Sequence, residues 1–284
     1  MNTRLILLAF AISVPSCDRS AQRQEEAIAF VKSIGGVVRL DDKSQTNPKP
    51  IRHVSFGGSK ENMSKLDDSA MSRVADLGQI EEFHINGYPA FTDQGIASLA
   101  KVQGLERIML WGAHKLTDQC FEHLSQMKSL TSLNAGYSGI DTMTGANLGS
   151  LAALPNLRSL NLSNLYKLEG QNLAHLSALK QLETLDLMHN PKVADADLAF
   201  MSALTHLKQL YLGSTPLTDA CIPHLARLQA LETLNLSNSK ITDTGIRGLK
   251  GLKQLKKLNL KQTTVSDAGV ADLQSALPGI QITR

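Results

Sequence analysis

Aromatic side chains are scarce in this sequence, 4% of 284 residues, with one Trp, four Tyr and seven Phe. A core of any size must therefore be filled by aliphatic side chains rather than by large rings. Cysteine is almost missing: Cys17, Cys120 and Cys221 make neither a disulfide framework nor a C-x-x-C metal site. Charge of one sign is not in excess either. A formal net charge of +3 falls short of the basic stripe that nucleic acid calls for, so no nucleic-acid partner is expected. No G-x-S-x-G elbow, H-E-x-x-H pair, phosphate-binding glycine loop or paired acid–base set occurs. The chain thus reads as a non-enzyme with no cofactor and no bound metal.

Long apolar runs are also lacking. The longest opens the chain: Met1 to Arg4 is a positive start, and Leu5 to Val14 is an apolar run of ten residues. That length suits the core of a signal peptide and is too short to span a bilayer. Val14-Pro15-Ser16-Cys17 resembles the lipobox of bacterial lipoproteins, although proline in its second place departs from the pattern. The resemblance implies cleavage before Cys17 and lipidation of its sulfur, hence an exported, membrane-anchored lipoprotein of a bacterial cell envelope. Plain secretion or periplasmic release, and an uncleaved anchor, stand as the alternatives. Residues 1–17 are set apart on this basis.

What the sequence has is leucine: 45 residues, 38 of them after residue 100. They fall into the pattern L-x-x-L-x-L. Its first place is held by Ile80, Leu105, Leu130, Leu157, Leu182, Leu207, Leu231 and Leu255, at spacings of 25, 25, 27, 25, 25, 24 and 24. Each unit then shows apolar residues at helical spacing, as in Ile96/Leu99/Val102 and Ile246/Leu249/Leu252, so the period changes from two to three or four. Thr-Asp or Ser-Asp pairs lie between the two parts, at Thr92-Asp93, Thr117-Asp118, Thr218-Asp219, Thr242-Asp243 and Ser266-Asp267. These are helix-capping residue types, and capping explains the aspartates better than calcium does. The third unit is longer, puts Ala135 in the sixth place and lacks the pair, so its loop at 138–145 is expected to widen. A weaker ninth unit starts at Ile51. Residues 18–50 read as an N-terminal helix and cap with a polar connection, and 51–284 as about nine repeats.

These units resemble leucine-rich repeats, and Ile241-Thr242-Asp243-Thr244-Gly245-Ile246 is similar to the cysteine-containing subclass. The resemblance implies an α/β fold: a right-handed solenoid or horseshoe, with a parallel sheet on its concave side and helices on its convex side. Stacking follows from physics, since a single unit cannot bury both of its apolar sides. Cys120 and Cys221 fill the small-residue slot of Gly95, Gly245 and Gly269. His123, His175 and His224 recur on the helices without acidic or cysteine partners and read as surface positions. The run from Arg247 to Lys261 is basic and reads as a solvated face.

The third, fifth and seventh places alternate away from the core, onto the concave face. Most are small and polar. Met109, Trp111, Asn161, Met188 and Tyr211 at these places, with Tyr137 and His189 one residue further along their own strands, are the candidate protein-binding residues. Aromatic anchors on a polar rim are the usual form of a binding hot spot. Trp111/Tyr137 and Met188/Tyr211 should make two anchors beside the polar strand Ser159-Asn161-Ser163. The expected function is recognition of a protein or peptide on that face. Rivals are a self-associating envelope component and a substrate-recognition subunit of a separate enzyme. Ile280-Gln281-Ile282 reads as a further strand whose free edge suits a weak homodimer.

Overall fold

The structure, a computed structural model, describes residues 16–139 and 141–284. The expected signal sequence up to Pro15 lies outside them. In the described part the backbone of Cys17 belongs to α1 (Ser16–Ser33), which stops at Gly35-Gly36 and leads into β1 (Val37–Leu40).

The first repeats pair strands with helices: β2 (Ile51–Gly57), α2 (Lys60–Ser64), α3 (Asp68–Ala75), β3 (Ile80–Asn86), α4 (Asp93–Leu99), β4 (Arg107–Trp111) and α5 (Cys120–Leu124). Shorter strands follow: β5 (Ser132–Asn134), β6 (Ser159–Asn161), β7 (Thr184–Asp186) and β8 (Gln209–Tyr211). The last units comprise α6 (Ile222–Leu225), β9 (Thr233–Asn235), α7 (Asp243–Arg247), β10 (Lys257–Asn259), α8 (Asp267–Ala276) and β11 (Gln281–Thr283). All eleven strands form one open sheet in chain order. Only β1–β2 is antiparallel; every other pair is parallel.

Register aligns the same place of successive repeats. Val54, Phe83, Ile108, Leu133, Leu160, Leu185, Leu210, Leu234, Leu258 and Ile282 form one cross-strand column. From Val54 to Leu258 these side chains are at most 2% exposed. Burying each is worth roughly 1.5–3 kcal/mol relative to exposure. The leucine pattern is therefore the core itself, running the length of the stack.

Two expectations about the convex side need correction. Helices were expected throughout, but the middle units use 3-10 turns at Leu148–Ala153, Gly170–Ala178 and Asp195–Ala203. At the ends the helix-opening slot holds Gly95, Cys120, Cys221, Gly245 or Gly269. In the middle it holds Asn147, Asn172 and Asp197. A methyl at Gly245 or Gly269 would run into the carboxylate of Asp219 or Asp243. The slot residue does not decide the turn by itself, since Cys120 opens an α-helix whereas Cys221 lies in a 3-10 turn. A 3-10 turn still eclipses residues three apart, so Leu173 and Leu176 stay buried on one side.

The aspartates, second, do not cap their own helices. The hydroxyls of Thr92, Thr218, Thr242 and Ser266 do that. The aspartates up to Asp243 instead reach the next repeat, whereas Asp267 pairs with Arg284. Thr242, for example, donates to Asp219 from its N–H at 2.8 Å and its hydroxyl at 2.6 Å. The same pair of bonds joins Asp68 to Thr92, Asp93 to Thr117, Asp195 to Thr218 and Asp243 to Ser266. The third unit keeps half of the arrangement, for Thr144 donates to Asp118 although Gly145 replaces the next carboxylate.

Candidate functional site

One residue per repeat turns the chain out of the sheet with a positive φ, always in the eighth place. The first three repeats use Gly58, Gly87 and Gly112; later ones use Tyr137, Asn164, His189, Ser214, Asn238 and Gln262. Glycine enters this region without steric cost, whereas a bulky residue there is strained. Tyr137, at φ 61°, is the bulkiest residue so placed.

Tyr137 stacks on Trp111, with ring centroids 5.0 Å apart and planes 15° from parallel. The row continues through His114, 6.4 Å from Tyr137, to Tyr88, which stacks on His114 at 4.4 Å. Four rings from three successive repeats thus line the rim where the strands end. Tyr88 is 52% exposed and Trp111 39%. Burial lowers the pKa of His114, with Asp141 opposing, and its Nδ1 is buried without a hydrogen-bond partner. The sequence reading found Trp111 and Tyr137 but missed Tyr88 and His114. Both lie beyond the strand, where alternation no longer assigns a face. The available signal was the crowding of two of four tyrosines and the single tryptophan into neighbouring repeats.

The other candidates are spread along the sheet. Met109, Asn161 and Tyr211 line a shallow groove of about 410 Å³ with Asp186. Asn161 has a structural duty, since its Oδ1 accepts the Ser163 N–H at 2.8 Å and its Nδ2 donates to Asp186 at 3.2 Å. The recurring fifth-place Asn has the same role at Asn134, Asn235 and Asn259, accepting the N–H two residues on. Met188 passes over Gly213 to Asn235, whose Nδ2 lies 3.5 Å from its sulfur. The Tyr211 hydroxyl donates to Gln209 at 3.0 Å. The two halves of the expected second anchor thus each engage a neighbour of their own. His189 is exposed.

At the N-terminal end of the same face lies a charged cluster. His53 faces Glu82 across the β2–β3 pairing, with Nδ1 and Oε2 3.0 Å apart. His84 Nε2 is 3.7 Å from the same oxygen, and the two imidazoles meet edge to face at 4.6 Å. Arg107 donates to the other oxygen of Glu82 at 2.7 Å and to Glu81 at 2.6 Å. Burial opposes charge on Glu82, but the bonds from Arg107 and His53 outweigh it and hold its carboxyl below the usual range. Burial and the nearby His53 lower the pKa of His84.

The basic run at 247–261 is partly paired: Lys250 meets Asp272 and Lys256 meets Glu232, each at 2.7 Å. Cys120 and Cys221 are free and buried. Burial and nearby aspartates push the Cys120 thiol well above its ordinary value and Cys221 to about 12. No helix among the described residues is long and apolar enough to cross a membrane.

A family model described as leucine rich repeat matches residues 205–265. Among solved structures, internalin C2 from Listeria monocytogenes is 19% identical; the match covers 90% of this chain and 92% of that one, with a TM-score of 0.46. The TLR13–ssRNA13 complex contains a chain 21% identical, matched over 82% of this chain with a TM-score of 0.56. This chain spans only 32% of that one. No curated protein matches in sequence.

Proposed function

This chain is a leucine-rich-repeat protein, and we propose that it is a non-catalytic recognition scaffold holding a protein or peptide on its concave face. The observation that carries this reading is the ring row Tyr88–His114–Tyr137–Trp111, with Tyr137 held in a backbone region costly for a tyrosine. The positive φ is the turn common to every repeat, and at this one it carries a ring to the rim beside Trp111. Flat, half-exposed rings beside a polar groove suit an extended peptide or a protein loop. An enclosed pocket would suit a small molecule better.

A photo-cross-linker placed beside Trp111, in the cell that makes the protein, should capture one reproducible partner. Trp111→Ala should then weaken that complex by at least about 2 kcal/mol, while Glu183→Ala leaves it unchanged. Equal binding by wild type and Trp111→Ala would remove the ring row from the site. Captured self-links alone would favour the envelope component instead.

Export and lipid anchoring at Cys17 complete the proposal, supported by the positive start, the ten-residue apolar run and the small residue before the cysteine. Cys17→Ala should abolish incorporation of labelled fatty acid and leave the leader attached. Unchanged labelling in that variant would refute the anchor.

A further inference from the structure

We propose that His53, Glu82 and His84 form a zinc site on the concave face, with a fourth position open to water. Two imidazoles and one carboxylate are a ligand set that Zn²⁺ accepts, and an open fourth position completes its tetrahedron.

The sheet supplies the geometry. His53 and Glu82 are cross-strand partners, and His84 follows Glu82 by two residues, so all three project from one face. Their ligand atoms lie within 4.8 Å of one another. Two of the separations, 3.0 and 3.7 Å, bracket the roughly 3.3 Å between ligands that zinc bonds of about 2.0–2.1 Å require in a tetrahedron. The carboxylate is already oriented. Arg107 holds Oε1 and leaves Oε2 toward both imidazoles, as outer partners of metal ligands do.

Around the three ligands Asp41, Glu81, Glu82 and Glu106 pair with Arg52 and Arg107, and Arg39, the cross-strand partner of His53, lines the same cleft. The side chains of His53, Glu82 and His84 are 18%, 26% and 31% exposed, so a metal and a water can enter. They open on a cleft of about 630 Å³ lined by Leu40, Asp42 and Arg52 among others. The sequence alone conceals this set, because His53 sits in the weakest repeat, 29 residues before Glu82.

The test is calorimetric titration of the full chain with zinc chloride alone, in a buffer that does not chelate. Cys17→Ser serves as the background, so that its thiol takes no metal. One zinc per chain is expected, weakened by roughly tenfold or more in His84→Ala and in the shape-preserving Glu82→Gln. His175→Ala, on the convex side, should bind as the parent does. Cobalt in place of zinc should give the intense visible bands of a tetrahedral ion, and those bands should be lost in His84→Ala. Absence of binding would show an ion-pair network only and overturn the site. Binding that survives both substitutions would place the metal elsewhere and overturn it equally. Circular dichroism and melting of each variant separate loss of a ligand from loss of the fold.

Discussion

Asp186 shows how one residue can depart from its repeat. Sister positions hold Asn, whose Oδ1 accepts the N–H two residues on; Asp186 does the same for Met188 at 2.9 Å. Its carboxyl, however, is raised above the ordinary 3.8 by burial, with the Met188 N–H and His189 opposing. The folded state therefore holds the proton more tightly than the unfolded one. This contribution to stability is fully present below the ordinary value and is lost as pH rises through the folded value. Asp41, Glu82 and Asp243 are lowered and act with the opposite sign. Comparison with Asp186→Asn isolates the one group. Relative to wild type, the variant should gain stability as pH rises from below the ordinary 3.8 through the raised folded value, read from urea midpoints. A difference that does not vary with pH would refute the assignment.

Among the elements, coupling between neighbouring repeats is uneven. Aspartate-to-threonine bonds join the early and the late units, but Gly145 and Gly170 interrupt the series in the middle. There a buried asparagine takes over. Asn190, fully buried, accepts the Leu165 N–H at 2.9 Å and donates to the carbonyls of Leu162 and Leu187, both at 2.9 Å. Removing it strands three backbone groups where no solvent reaches, at about 1–3 kcal/mol for a buried group left unpaired. Asn190→Ala should therefore cost about 3 kcal/mol in chemical denaturation. Asn161→Ala, at the half-buried surface, should cost under about 1 kcal/mol. Equal losses would mean that Asn190 does not clamp the middle of the stack.

For the whole molecule, Cys120 and Cys221 report on repeats either side of the middle of the solenoid. Each is fully buried, and burial keeps both thiols protonated well above neutral pH. Only the thiolate reacts. In a Cys17→Ser chain neither should be labelled by a disulfide reagent at pH 8 under native conditions, and both should be in urea. Repeats contact only their neighbours, so stability is close to a sum of local terms. The break in the aspartate series should let the two thiols become reactive at different urea concentrations. A shared midpoint would show that the asparagine clamp holds the stack as one cooperative unit.

The repeat, its strands and its core were legible in the sequence, because burial on a two-residue and a three-residue period must be written into the order of leucines. Trp111 was legible for the same reason, as a misfit on a face that alternation assigns, and Tyr137 as a ring one place past that face in the next repeat. Past the strand no period governs, so Tyr88 and His114 joined the row only once the loops were placed. The middle 3-10 turns, the aspartates reaching into the next repeat and Asn190 depended on what each side chain meets one repeat away. His53 with Glu82 depended on cross-strand register in the same way. Distances between residues some 25 apart in sequence are set by how the repeats stack, and only the tertiary structure decides them.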